Sequence, residues 1–186
     1  MPEYLNLVKP WKTGPARELL KTRVFSVFTR PSSSATDPAR SGDFVHLACP
    51  DWVNVLAMTP ANQVVMVEQY RHGLDRVTLE VPGGIAEPGE APGVTCAREL
   101  LEETGYSGDP CRIVGRVSAN PAIQNNWVHI GLVRNADLRG PTNPDEHEEI
   151  GVRLVPLSEV PGLIRQGVIH HAFVVAAFHF LMLAGA

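Results

Sequence analysis

The chain has 186 residues, of which 44% are hydrophobic and 19% charged, as is typical of one globular domain with at most a short appendage. These proportions exclude a disordered polyelectrolyte and a fibrous repeat. The formal net charge of −4 and the lack of any cluster of lysines and arginines argue against nucleic acid as a partner, but they allow a small anionic ligand.

The cysteines and the two ends of the chain indicate where the protein works. Cys49, Cys96 and Cys111 form no CxxC pair and are odd in number, so we expect reduced, mostly buried thiols. The N-terminal MPEYLNLVKPWK lacks the apolar core of a secretion signal. The most apolar stretch, residues 172–186, is shorter than the roughly 20 residues of a membrane span. We therefore expect a cytoplasmic protein with no membrane partner and a core-packing helix at its C-terminus.

The N-terminal region predicts a small β appendage. Residues 24–29 (VFSVFT) and 44–48 (FVHLA) are rich in apolar and β-branched side chains, which indicates strands. The intervening RPSSSATDPARSG has the proline, serine and glycine content of a long loop. We expect residues 1–45 to form the appendage and residues 46–186 to form the main domain.

The main domain alternates strands and helices. Residues 52–58 and 63–69 flank TPAN, which has the composition of a tight turn, and therefore predict a β-hairpin. The remaining pattern predicts strands over 111–117, 127–133 and 150–156 and helices over 158–166 and 171–183.

A loop rich in glycine and proline, VPGGIAEPGE, precedes the best-defined helix of the chain. Pro92 suits the first turn of this helix, and Gly105 suits the position after its last turn. We expect its core-facing side chains to be Val94, Ala97, Leu100 and Leu101.

Three carboxylates share one face of this helix, since Glu99, Glu102 and Glu103 are spaced three and four residues apart. Like charges at that spacing repel by about 0.2–0.5 kcal/mol per pair, and a hard divalent cation removes the penalty. An isolated ExxEE run is more often a solvated acidic face. The preceding loop favours a site, because Gly83 and Gly84 let the backbone approach a metal and a phosphate closely.

The segment GIAEPGEAPGVTCARELLEETGY, which starts at Gly84, fits the pattern G-x5-E-x7-R-E-U-x-E-E-x-G-U, where U is a bulky apolar or aromatic residue. It resembles the Nudix hydrolases. The resemblance implies an α/β/α sandwich with a mixed sheet, to which the small N-terminal β appendage is added. It also implies an ion pair between Glu90 and Arg98 that braces the loop and orients the site.

The same resemblance implies a Mg²⁺ site, with Mn²⁺ as a substitute. Its ligands would be the Gly83 carbonyl, Glu99 and Glu103, with Glu102 assisting.

Flanking segments resemble the ADP-ribose and nucleoside-diphosphate-sugar pyrophosphatases. The segments VEQYRHG and LEVPGG imply that Arg71 lies near the substrate diphosphate and that Glu80 lines the site; a surface salt bridge is the alternative for Arg71. Pro121 stands at the distance past the motif where that group has a proline, although it could be a simple turn residue.

The N-terminal segments LLKTRVFSVFTR and DFVHLACPDW resemble strands through which that group dimerises and holds the base. Phe25 and Phe44 are therefore candidates for stacking on adenine, and packing in a homodimer interface is the alternative. Many relatives have a tryptophan where this chain has Val24.

The acidic loop DEHEEI supplies candidates for the general base. We prefer Glu148, then Glu146, with Glu149 as a third carboxylate, and we expect at least one of the three to belong to a solvated acidic turn. The adjacent His170 and His171 point in different directions, which favours a helix-start or core role over a metal site.

These features together predict Mg²⁺-dependent hydrolysis of the diphosphate of ADP-ribose or a related nucleoside-diphosphate sugar. One alternative is a pyrophosphatase for another nucleotide derivative, such as a dinucleoside polyphosphate or a nucleoside triphosphate. A second is a Nudix-derived nucleotide-sugar sensor without turnover, against which the complete set of three carboxylates argues.

Overall fold

The structure, a computed structural model, describes residues 7–144 and 148–185, and the chain divides into two compact units. The first unit runs to Cys49 and also contains Asn120–Asn126, whereas the second contains Pro50–Ala119 and the chain from Trp127 onward. Within the first unit, Leu47 N–H donates to the Ile123 carbonyl at 2.7 Å. The sequence prediction divided the chain after residue 45 and left residues 120–126 in the main domain.

The first unit contains a four-stranded antiparallel sheet in which β3 pairs with each of the other three strands. The strands are β1 (Lys12–Thr13), β2 (Arg17–Lys21), β3 (Ser26–Ser33) and β4 (Ser41–Ala48). The prediction of a loop over residues 30–42 is wrong at both ends. β3 continues to Ser33 and β4 begins at Ser41, and these two residues pair. Only residues 34–40 form the connection. The side chains of Ser34 and Asp37 accept hydrogen bonds from its backbone, which allows the strands to extend.

The second unit contains a six-stranded sheet in the order β12-β6-β5-β10-β9, with β7 paired to β6. β5 and β10 run parallel and the other pairs run antiparallel, so the sheet is mixed. Its strands are β5 (Trp52–Met58), β6 (Gln63–Arg71), β7 (Arg76–Glu80), β9 (Arg112–Ser118), β10 (Trp127–Val133) and β12 (Ile150–Pro156). A separate ribbon pairs β8 (Tyr106–Ser107) with β11 (Asp137–Leu138).

The sheet of the second unit lies between two helical layers. Val55 and Ala57 on one face of β5 pack in a cluster with Cys96 and Leu100 of α1 (Pro92–Thr104). Leu56, on the other face, packs in a cluster with residues of α2 (Val160–Arg165) and α3 (Ala172–Leu183). A 3-10 turn at Leu157–Glu159 precedes α2. The predicted α/β/α sandwich with a mixed sheet is confirmed, and so are the strands of the predicted hairpin.

The face of α1 that is buried differs from the predicted face. Of the four side chains expected to face the core only Leu100 is buried, while Val94 and Leu101 are 59% and 45% exposed and Ala97 is exposed as well. Thr95 and Glu103 are buried instead. Their polar atoms have partners, since Thr95 donates to Glu90 at 2.9 Å and Glu103 accepts from Gly83, and this lowers the cost of burial.

The ends of α1 lie where the sequence predicts them. Pro92 occupies the first turn after an extended Ala91. Gly105 adopts φ 73° and donates its N–H to the Leu101 carbonyl at 2.8 Å, a left-handed conformation that favours glycine. Within residues 7–144 and 148–185, no helix is long and apolar enough to cross a membrane.

Candidate active site

The loop before α1 lies along β5 and is held there by its backbone. Val55 N–H donates to the Pro82 carbonyl at 2.8 Å, and Val53 N–H donates to the Gly84 carbonyl at 2.9 Å. A Cβ at Gly83 would lie 2.2 Å from the Val53 carbonyl oxygen, and a Cβ at Gly84 would lie 2.4 Å from a carboxylate oxygen of Glu99. Gly83 is therefore required for the loop to pass along the strand, whereas a side chain at position 84 would displace the Glu99 carboxylate.

Glu103 points inward from α1 and is only 3% exposed. One of its carboxylate oxygens accepts the Gly83 N–H at 2.9 Å, which ties the helix to the loop. Burial, together with the charges of Glu99 and Glu148, raises the pKa of Glu103 to about 8, although this hydrogen bond acts to lower it. Burial also raises the pKa of Glu99, opposed by Arg98. For both carboxylates, burial has the largest effect on the pKa, and the nearby arginines oppose it.

Arg98 links the loop to the acidic face of α1. Its Nε and Nη2 each donate to Glu90 at 3.0 Å, which is the ion pair that the sequence predicts. Its Nη1 also donates to Glu99 at 2.8 Å and to Glu102 at 3.0 Å. Arg98 lowers the pKa of Glu90 to about 2. The single guanidinium thus orients three carboxylates of the cleft.

The donor atoms fit Mg²⁺. Carboxylate and carbonyl oxygens are its preferred protein ligands, and Gly84 leaves room beside Glu99 that a Cβ would fill. Within the described ranges, no group of three His, Cys, Asp or Glu side chains is arranged to hold a metal ion by itself. Mg²⁺ commonly binds through one or two carboxylates and completes its shell with water and substrate phosphate.

Arg71, at the end of β6, forms a two-point ion pair with Glu80 at the end of β7. Its Nε and Nη2 donate to the two carboxylate oxygens, each at 2.8 Å. The Arg71 side chain is 42% exposed and lines the cleft, whereas Glu80 is 2% exposed and does not. Glu80 therefore reaches the cleft only through Arg71.

The loop, α1 and the end of β6 enclose a cleft of about 830 Å³, which is in the size range of small-molecule sites. Glu148 lines this cleft, and its charge raises the pKa of Arg71 as well as that of Glu103. Glu146 lies outside the described residues. The lining residues are Pro50, Asp51, Gln69, Arg71, Gly83, Gly84, Ile85, Ala86, Glu87, Pro88, Glu90, Arg98, Glu99, Glu102, Glu103, Pro144 and Glu148.

The three remaining candidates belong to the first unit. Phe44 lies on β4, is 49% exposed and meets Trp11 edge-on with ring centroids 5.5 Å apart. Phe25 precedes β3, where its N–H donates to the Thr22 hydroxyl at 3.0 Å. Pro121 lies in the turn before Gln124. Their assignment to substrate binding stays a prediction.

Gln69 and Asp51 are among the cleft residues that the sequence prediction missed. Gln69 is two residues before Arg71 on β6, so strand alternation alone places both on one face and could have indicated it. Asp51 accepts the Trp127 N–H at 2.9 Å and contacts His129 Nε2 at 2.9 Å, while its carbonyl accepts the Ala86 N–H. These partners are distant in sequence, so no local pattern identifies Asp51.

Most of the chain matches a known protein family. The NUDIX domain matches residues 50–178, more than half of the sequence. The chain belongs to the Nudix family. The loop before α1 and the three carboxylates of α1 lie within the matched domain.

Several curated Nudix relatives are similar over most of the chain. The methanol dehydrogenase activator of Bacillus methanolicus is 34% identical over 141 residues, covering 74% of this chain and 75% of that protein. The ADP-ribose pyrophosphatase of Bacillus subtilis is 33% identical over 138 residues, with the same coverage of 74% and 75%. A solved structure described as an ADP compounds hydrolase superposes with a TM-score of 0.82 over 95% of each chain at 17% identity, and this similarity supports the fold.

Proposed function

We propose that this Nudix chain hydrolyses the diphosphate of ADP-ribose or a related nucleoside-diphosphate sugar to a nucleoside monophosphate and a sugar phosphate. The observation that carries the proposal is one cleft that holds Arg71 together with Glu99, Glu102 and Glu103. Relatives support the choice of substrate, since they include ADP-ribose pyrophosphatases, an ADP-sugar pyrophosphatase of Mus musculus and a GDP-mannose pyrophosphatase of Cronobacter sakazakii.

The charge of the cleft supports a divalent cation as cofactor. Glu99 and Glu103 by themselves would repel an anionic diphosphate. The proposed Mg²⁺ ligands are the Gly83 carbonyl, Glu99 and Glu103, with Glu102 assisting, and Mn²⁺ is a substitute. Bound Mg²⁺ would polarise a phosphoryl oxygen and make a bound water more acidic.

The residues around the carboxylates have separate proposed roles. Arg71 binds the diphosphate through the guanidinium N–H groups that Glu80 leaves free. Glu148 takes the proton from the attacking water, and Glu146 is the alternative base. Arg98 keeps Glu99 and Glu102 in place through its hydrogen bonds, and its pKa is raised chiefly by the hydrogen bond to Glu90.

The first unit has a proposed role in base binding and assembly. Phe25, Phe44 and Pro121 are its candidates for contact with the nucleoside, and a homodimer is the proposed assembly. A cytoplasmic location is proposed as well.

A substrate panel tests the proposed function. The purified chain with Mg²⁺ is incubated with ADP-ribose, GDP-mannose, a dinucleoside polyphosphate and a nucleoside triphosphate, and released phosphate monoesters are detected with a coupled phosphatase. We expect the highest kcat/KM for ADP-ribose or the nucleotide sugar, loss of turnover in excess EDTA, and recovery with Mg²⁺ or Mn²⁺. Preference for the triphosphate or the dinucleoside polyphosphate would favour another Nudix pyrophosphatase. Binding of ADP-ribose without turnover of any compound would favour a sensor.

A further inference from the structure

Glu80 is buried with its hydrogen-bonding capacity taken up by protein groups. Its Oε1 accepts from the Thr78 hydroxyl at 2.6 Å and from Arg71 Nε at 2.8 Å. Its Oε2 accepts from Arg71 Nη2 at 2.8 Å and lies 2.6 Å from Nδ1 of His171. An ionised carboxylate offers about four acceptor positions, and all four are used. Glu80 therefore acts on a ligand through Arg71 and not by direct contact.

The ionisation of Glu80 decides which way the His171 hydrogen bond runs. Burial by itself would raise the pKa of Glu80, but hydrogen bonds from Arg71, His171 and Thr78 outweigh burial and hold the pKa well below its usual range. A carboxylate only accepts hydrogen bonds, so Nδ1 of His171 carries a hydrogen and donates it.

Glu80 holds one edge of the Arg71 guanidinium. A guanidinium is planar and has five N–H groups, of which Glu80 accepts one from Nε and one from Nη2. The remaining N–H groups are not bound by Glu80, and Arg71 lines the cleft in which a ligand would accept from them. Because the guanidinium is rigid, the position of Glu80 sets the plane in which Arg71 presents those donors.

The fold fixes the position of the His171 donor. His171 immediately precedes α3, and its carbonyl accepts the Val175 N–H at 3.0 Å. Its ring lies 5.1 Å from the ring of Phe173, centroid to centroid. Val174 of the same helix is fully buried, so the start of α3 is anchored in the core. The neighbouring His170 is exposed and lines a different groove.

We propose that His171 is a positioning residue for Arg71: it holds the Glu80 carboxylate, which holds the guanidinium ready to bind an anionic diphosphate. The identity of the ligand rests on the proposed function. Through His171, the C-terminal helix contributes to ligand affinity although it carries no residue of the Nudix motif.

Substitutions that keep or remove the donor test this role. His171→Asn retains an N–H near the position of Nδ1, whereas His171→Ala removes it, and His170→Ala is the matched control. KM and kcat are measured with ADP-ribose, and the Kd of ADP is measured by titration calorimetry. We expect His171→Ala to raise both KM and Kd about tenfold, as is usual for loss of an orienting partner, with kcat within about twofold. His171→Asn should restore most of the affinity, and His170→Ala should have no effect.

A double-mutant cycle separates positioning from a general structural role. If His171 acts through Arg71, then His171→Ala should have no further effect on the Kd of ADP in an Arg71→Ala background. An equal loss in both backgrounds, equal affinities for the Asn and Ala variants, or an unchanged Kd would overturn the proposal. Should His171→Ala fail to fold, His171→Gln replaces it, since its amide N–H lies farther out.

The ADP titration also separates this proposal from the proposed function. A wild-type chain that binds ADP but does not turn over ADP-ribose would contradict the hydrolase assignment, and the variants would still test the positioning of Arg71. A wild-type chain that binds no ADP would overturn the positioning proposal itself.

Discussion

Glu103 and Glu80 are both buried glutamates of the second unit, and their pKa values shift in opposite directions. Burial and the charges of Glu99 and Glu148 raise the pKa of Glu103 to about 8, against the effect of one hydrogen bond from the Gly83 N–H. Three side chains donate to Glu80 and hold its pKa below the usual range. Protein donors therefore stabilise the charge of Glu80, whereas the proposed Mg²⁺ would stabilise that of Glu103.

Replacement of Glu103 tests its role as a metal ligand. Glu103→Gln keeps the shape of the side chain but removes its charge, and we expect kcat/KM for ADP-ribose to fall by at least about 10²-fold, since loss of outer-shell partners alone costs 10–100-fold. Thermal unfolding should show a folded variant. Glu87→Gln removes a charge from the lining of the same cleft and should retain most activity. Near-normal kinetics of Glu103→Gln at saturating Mg²⁺ would remove Glu103 from the ligand set.

Replacement of Glu148 tests the general base. Glu148→Gln should lower kcat by roughly 10²- to 10⁴-fold, the usual range for loss of a base. KM should change little, because the residue acts mainly in the transition state. Glu149→Gln is the control and should cost much less. A large loss in Glu146→Gln instead would move the base by two residues, and near-normal kcat in all three variants would make Glu102 the next candidate.

The secondary structure elements differ in how much of them the sequence predicts. The bounds of α1 follow from Pro92 and Gly105, whose backbone preferences are local. The rotation of α1 does not, because the burial of Thr95 and Glu103 depends on partners in the preceding loop. The pairing of Glu80 with His171 joins residues 91 positions apart, and only the assembled fold shows it. Thus the motif residues were predictable, and the network that orients Arg71 was not.

Close packing between α1 and strand β10 makes Gly131 sensitive to substitution. A Cβ at this position would lie 2.5 Å from the sulfur of Cys96 and 2.6 Å from the sulfur of Cys111. Gly131→Ala should lower the free energy of unfolding by about 1–3 kcal/mol, the usual cost of overpacking a core, as measured by urea denaturation. Gly93→Ala, whose Cβ would come no closer than 3.6 Å to the Cys111 carbonyl, is the control and should be neutral or slightly stabilising. Equal stabilities for the two variants would contradict this packing argument.

At the scale of the whole molecule, the start of the family match is also the start of the second unit. The NUDIX match begins at residue 50, and the second unit begins at Pro50. The strands before residue 50 lie outside the matched region, whereas Asn120–Asn126 of the matched region belongs to the first unit.

The exposed surface of the first unit supports the predicted homodimer. Leu20, Val24, Phe44 and Val45 are each about half exposed on its strands and turns, and they are candidates for burial against a second copy of the chain. We expect the wild-type chain to run as a dimer in size-exclusion chromatography with light scattering. Deletion of residues 1–45 should give an aggregated or inactive protein, because it removes most of the sheet that pairs with residues 120–126.

A point substitution separates assembly from folding more sharply than the deletion does. Val45→Glu places a charge on an exposed position of β4 and should shift the chain toward monomer, since an interface core disfavours an unpaired charge. Val77→Glu introduces the same charge at an exposed valine of β7 in the second unit and should leave the dimer intact. Circular dichroism checks that both variants are folded. A wild-type monomer, or a soluble and fully active chain without residues 1–45, would contradict the assembly through the first unit.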